Sequence, residues 1–158
     1  MAESIDHYEL LTWDDNLSVG VPEMDGEHQV LVGLYNDAAR GFAAGCGREE
    51  KRKLLNELDT YAFYHFGMEE ALMRVCRYPK AREHGGEHAR FRRELAELKA
   101  ELDGAANSTG DEDAFEQHAL TFIRTWISRH IQGSDKALGA FLAEAAARWS
   151  EQRPVAAD

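Results

Sequence analysis

An all-α fold, an antiparallel up-down-up-down four-helix bundle with an N-terminal arm and a short C-terminal helix, is predicted by three features of this 158-residue chain. Apolar residues recur in steps of three and four over four long stretches, the spacing of a buried helical face. Alternating β-branched runs are nearly absent, and no Asn-Gly or Asp-Gly hairpin joins any such pair. The links between the stretches are short, which makes consecutive helices antiparallel neighbours. The length and the 44% hydrophobic content fit one domain with a substantial core.

Residues 1–22 read as an irregular arm packing on the bundle through Trp13, Leu17, Val19 and Val21, with Gly20 and Pro22 punctuating its end. The bundle is assigned to residues 23–150, and residues 151–158 to a frayed tail. Asp25 is the expected N-cap of a first helix reaching about residue 44, closed by Gly45 and Gly47. A second helix runs from 48 or 49 to about 76, where Tyr78-Pro79 makes the break. A third covers about 79–102, its first turns weakened by Gly85-Gly86. Residues 103–110 are a loop by composition. The fourth helix is expected over about 111–131, interrupted near Gly133, with a last helix over about 134–149.

Composition excludes several functions. Acidic residues number 29 against 18 basic, a net charge of −11, the wrong balance for nucleic acid or an anionic membrane. No apolar run is long enough to span a bilayer, and the acidic N-terminus lacks the features of a signal peptide. A cytoplasmic monomer is therefore expected. Cys46 and Cys76 form no CxxC motif and read as free thiols, Cys46 in a loop and Cys76 as core filler.

The apolar stripes carry the functional signal. On the third helix the stripe is His84, His88, Phe91, Leu95, Leu98 and Leu102; on the second it is Leu58, Ala62, His65, Glu69, Leu72 and Cys76. The fourth offers Phe115, Ala119, Phe122, Trp126 and His130, and the first His28, Leu31, Tyr35, Ala38 and Phe42. Every helix thus points at least one histidine inward. Buried polar groups without partners cost a few kcal/mol each, so five imidazoles and a carboxylate scattered through a core would erase a stability of about 5–15 kcal/mol. A metal removes the penalty if they converge. In an antiparallel bundle they do: His65 and Glu69 are late in the second helix, His84 and His88 early in the third, His28 early in the first and His130 late in the fourth.

Asp135 is the further acidic candidate near His130. A regular α-helix would turn it away, so Gly133 between them suggests a π-type bulge or a local break. Five imidazoles and two carboxylates exceed one ion and suit two metals bridged by Glu69 and Asp135. Each pair alone has a plainer reading: a surface HxxxH, an exposed i,i+4 bond, a helix-terminal histidine. Their agreement on four stripes at one height outweighs those readings. His7 in the arm and His118 off the stripe are expected to be exposed and not ligands.

The segments WDDNLSVGVPEMDGEH (13–28), HFGMEEALMRVCRYPKAREHGGEH (65–88) and WISRHIQGSDKAL (126–138) resemble the hemerythrins, specifically the single-domain bacteriohemerythrins. The resemblance implies two non-haem iron ions with a bridging oxo or hydroxo group. His84, His88 and His130 would hold one iron and His28 and His65 the other, with Glu69 and Asp135 bridging. It further implies reversible O2 binding at the open position of the two-histidine iron, in an apolar pocket walled by Phe66, Trp126, Ile127 and Ile131. The family more commonly has leucine at the position of Ile127.

Oxygen carriage, storage, delivery or sensing is accordingly the expected function, with O2 as partner and no enzymatic turnover. The rival is a di-iron redox enzyme or scavenger acting on O2, peroxide or nitric oxide. Ferritin-like oxidases carry Glu-x-x-His pairs and carboxylate-rich sites, whereas no histidine here has glutamate three residues before it. A zinc hydrolase is disfavoured because HExxH is absent and the ligands outnumber a tetrahedral site.

Overall fold

A computed structural model describes residues 8–104 and 112–152. Its helices are α1 (Pro22–Ala43), α2 (Arg48–Val75), α3 (Ala81–Gly104), α4 (Glu112–Thr125) and α5 (Lys136–Glu151), with a π-helical segment, Trp126–Asp135, joining α4 to α5. No strand occurs among the described residues. Helix α1 packs on α2 and α4, and α3 packs on the same two, so the four form a ring around one core. No described helix is long and apolar enough to cross a membrane.

The helix ends follow local chemistry, with some departures from expectation. Helix α1 starts at Pro22, whose fixed φ and missing N–H suit the first helical position, and Val21 rather than Asp25 is the N-cap. Asp25 lies in the first turn and accepts hydrogen bonds from the Val19 N–H (2.7 Å) and the Ser18 hydroxyl (2.6 Å). Both α1 and α2 end in paired reverse bonds: Cys46 N–H to the Gly41 carbonyl and Gly45 N–H to Phe42, then Tyr78 N–H to Met73 and Arg77 N–H to Arg74. Gly45 takes the left-handed conformation easily at φ +71°, whereas Arg77 adopts it at φ 55°. The second helix thus turns at Arg77, before Pro79 can act, and α3 begins only at Ala81.

The expected stripes are buried on α1, α3 and α4. On α2 the buried line leaves Leu72 and Cys76 and passes through Met73 instead. Cys76 is half-buried at the helix C-cap and is not core filler. Cys46 lies in the α1–α2 link, half-buried against the core. The expected loop begins later than 103, since α3 continues through Gly104; its remainder, His7 and residues 153–158 lie outside the described residues. Gly133 does not interrupt the fourth helix. The chain stays helical from Glu112 to Glu151 by widening over ten residues into the π form.

The segment before α1 lies over the bundle. Leu17 and Val19 are buried, and Leu11 pairs through its backbone N–H and carbonyl with the Asn36 side chain, both at 2.8 Å. Arg124 and the Tyr35 hydroxyl both donate to the Glu9 carbonyl. Elsewhere in the bundle, buried Lys51 pairs with buried Glu116 at 2.8 Å, and Tyr8 donates to that carboxylate.

Gly139 on α5 is buried where this segment crosses, and a Cβ there would stand 2.1 Å from the Val19 carbonyl oxygen. Gly139→Ala is expected to destabilise the protein by about 1–3 kcal/mol through overpacking, measured by urea unfolding. Unchanged stability would mean that the segment does not lie on α5.

Candidate metal centre

Four helical elements deliver seven polar side chains to one point in the core: His28 from α1, His65 and Glu69 from α2, His84 and His88 from α3, and His130 and Asp135 from the π-helical segment. All are buried. The α-helical pairs owe their shared face to i,i+4 spacing. His130 and Asp135 are five apart, which an α-helix would separate by about 140° around its axis. The wider i→i+5 winding swings them toward one face, and His130 Nε2 comes to 2.9 Å from Asp135 Oδ1.

Each carboxylate presents its two oxygens to different imidazoles. Glu69 turns Oε1 to His65 Nε2 (3.3 Å) and Oε2 to His84 and His88 Nε2 (3.3 and 3.0 Å). Asp135 turns Oδ2 to His28 Nε2 (3.0 Å) and Oδ1 to His84 (3.1 Å) and His130. His28 and His65 bring their Nε2 atoms within 3.2 Å of each other. The donors therefore divide into two overlapping groups, one with three imidazoles and one with two, and both contain Glu69 and Asp135.

Three further glutamates act from outside this cluster. His65 Nδ1 donates to Glu27 (2.6 Å), His88 Nδ1 to Glu70 (3.0 Å) and His130 Nδ1 to Glu87. A carboxylate accepts only, so each bond holds the ring proton on Nδ1 and leaves the inward Nε2 lone pair free, as a metal requires. Each of these glutamates adjoins an inward residue in sequence (27 beside 28, 70 beside 69, 87 beside 88) and reaches the histidine of the next helix in order. The sequence reading passed over all three. Glutamate next to an inward ligand was the available signal.

The donors fit a metal and do not satisfy one another. Both oxygens of Glu69 and of Asp135, and Nε2 of His84, His88 and His130, are buried without a hydrogen-bond partner among the described residues. They lie near one another without the angles of hydrogen bonds. Imidazole nitrogen and carboxylate oxygen are good ligands for first-row transition ions, and uncompensated burial of this kind is costly. A cation at the shared point would supply the missing partner.

Residues 19–142 match the family model described as "Hemerythrin HHE cation binding domain". The chain belongs to the hemerythrin family. It is 27% identical to a bacteriohemerythrin of Stenotrophomonas maltophilia over 128 residues, 81% of this chain and 78% of that protein. A Clostridium acetobutylicum bacteriohemerythrin is 28% identical over 131 residues, 80% of this chain and 97% of the relative. A hemerythrin-like protein of Naegleria gruberi is 29% identical over 125 residues, 78% and 86% of the two chains.

In this chain the expected pocket residues Phe66, Trp126, Ile127 and Ile131 are all buried. Phe66 stacks on His88 with centroids 4.0 Å apart and lies 5.8 Å from His65, so it borders both imidazole groups. Trp126 stacks on His130 at 3.8 Å. His118, expected to be exposed, is half-buried; it bonds Glu101 at 2.8 Å and takes no part in the cluster.

Without metal, charge within the cluster is shared unevenly. Burial opposes ionisation of Asp135, but His130, His28 and His84 outweigh it and hold the carboxyl well below its usual range. Glu69 is lowered in the same way, burial being overcome by His84 and His88. Burial lowers His65, against the pull of Glu69. Burial also opposes charge on His84, yet Asp135 and Glu69 raise it to about 9.

The raised His84 contributes stability that is complete below its ordinary value of 6.5 and disappears as pH rises through about 9. The lowered carboxylates contribute stability present above their ordinary values of 3.8 and 4.5 and lost on acidification below them. The metal-free protein is therefore expected to melt at falling temperature on both flanks, measured by calorimetry across pH. A flat profile between pH 6.5 and 9 would show that His84 does not carry the proton.

Proposed function

We propose that this protein binds O2 reversibly at a non-haem di-iron centre, as a carrier, store, delivery protein or sensor. The observation that carries the reading is the division of Glu69 and Asp135, each with one oxygen toward two imidazoles of the three-histidine group and the other toward one imidazole of the two-histidine group. That arrangement suits two ions bridged by both carboxylates. His84, His88 and His130 would hold one iron, and His28 and His65 the other, leaving the second with fewer protein donors. Two ferrous ions would supply the electrons that O2 takes up on binding, with an oxo or hydroxo group between them.

The protein's own part is to hold, orient and shield. Glu27, Glu70 and Glu87 keep three imidazoles in the tautomer that presents Nε2. Phe66, Trp126, Ile127 and Ile131 wall the site with buried apolar surface, which keeps out water and stray protons. Donors rich in nitrogen and without a proton-delivering acid favour carriage over turnover. The bacteriohemerythrin relatives support the same reading.

Iron content and optical spectra, taken reduced without O2, after O2 admission and after its removal, test the proposal. About two irons per chain and a charge-transfer band that appears and then reverses are expected. Two irons passing straight to a stable ferric state would favour the redox enzyme, and no iron uptake would overturn the reading. Glu87 also accepts from the Ser134 hydroxyl at 2.8 Å, which helps to fix the carboxylate that orients His130. Glu87→Ala is expected to weaken iron binding by about 10–100-fold, measured by competition with a chelator.

A further inference from the structure

Tyr61 on α2 is buried, and its hydroxyl has no hydrogen-bond partner among the described residues. Buried hydroxyls are nearly always paired, so a bare one calls for an explanation. The phenol ring lies one helical turn before His65 and nearly parallel to its imidazole, with centroids 4.9 Å apart and 20° between planes. Tyr61 also lines a groove of about 530 Å³ between α1 and α2, together with Glu27, Val30, Leu34 and Tyr64. It therefore stands between that groove and the His28–His65 side of the cluster.

The hydroxyl is equipped to donate. A phenol carries its proton at neutral pH and so has a hydrogen bond to give. The surrounding Nε2 atoms and carboxylate oxygens are acceptors that face one another, and Phe66, packed edge-on at 6.1 Å, offers no polar atom. A donor without an acceptor beside a group of metal donors fits a guest that is itself an acceptor.

We propose that Tyr61 donates a hydrogen bond to small acceptor ligands entering the His28–His65 half of the centre, with the α1–α2 groove as their approach. The proposal rests on the di-iron reading above and adds a binding residue outside the ligand set. A guest at that half would be held at one end by metal and at the other by the phenol, and would leave more slowly than from a wholly apolar pocket.

Tyr61→Phe removes the hydroxyl and keeps the ring that stacks on His65. Azide, a small anion that ligates ferric iron, is the probe, titrated optically into the iron-loaded oxidised protein. The variant is expected to bind the same amount of iron, with an azide dissociation constant raised about tenfold, the size of one charge-assisted hydrogen bond. The iron-free variant is expected to melt no lower than the iron-free parent, because the hydroxyl it loses was unpaired. Azide affinity within twofold of the parent would overturn the proposal, and so would an iron-free variant melting clearly lower, which would reveal a structural partner. A parent that takes up no iron would instead overturn the di-iron reading, while the melting comparison still judges the bare hydroxyl.

Discussion

Two carboxylates and five imidazoles buried at one point are the constraint around which this bundle is built. Glu69 and Asp135 are shielded from water, where isolated charges are expensive. The neighbouring imidazoles keep them ionised, yet leave their oxygens without proper hydrogen bonds. Elsewhere in the core the chain treats charge conventionally: Lys51 and Glu116 are paired directly and Tyr8 adds a bond. Among the described residues this cluster is the one left open to an outside cation, and the matching family model is described as a cation binding domain.

Meeting that constraint shapes the backbone. An α-helix cannot put residues 130 and 135 on one face, so the fourth helix widens for ten residues and then resumes its normal pitch in α5. The π winding is rare and is frequently found at functional sites. Here it is held between regular helices, and the segment before α1 crosses α5 so closely that Gly139 admits no Cβ.

Orientation is shared out among the helices. Glu27 on α1 serves His65 on α2, Glu70 on α2 serves His88 on α3, and Glu87 on α3 serves His130. Each glutamate follows or precedes an inward residue by one position, about 100° around the helix, which points it toward the neighbouring helix. The coordinating face and the orienting face of the bundle are thus set by the same register. A slip between two helices would disturb both.

The helical class, the antiparallel order and the seven inward polar residues were legible in the sequence, because 3.6-residue periodicity records which side chains are buried and short links record which helices are neighbours. The likeness of the His65–His88 and Trp126–Leu138 segments to known hemerythrins also needed no coordinates. Periodicity does not record winding, so Gly133 left a bulge and a break equally open, and only the tertiary structure decided for a long π segment. Nor does it distinguish a solvated glutamate from one that reaches the next helix: Glu27, Glu70 and Glu87 take their meaning from helix pairing. Helix ends moved for the same reason, since Asp25 found its partners in the preceding segment and Arg77 turned the chain before Pro79. Burial pattern is a property of one helix and is written along it. Contacts between helices, including the bare hydroxyl of Tyr61 beside the centre, exist only once the bundle has closed.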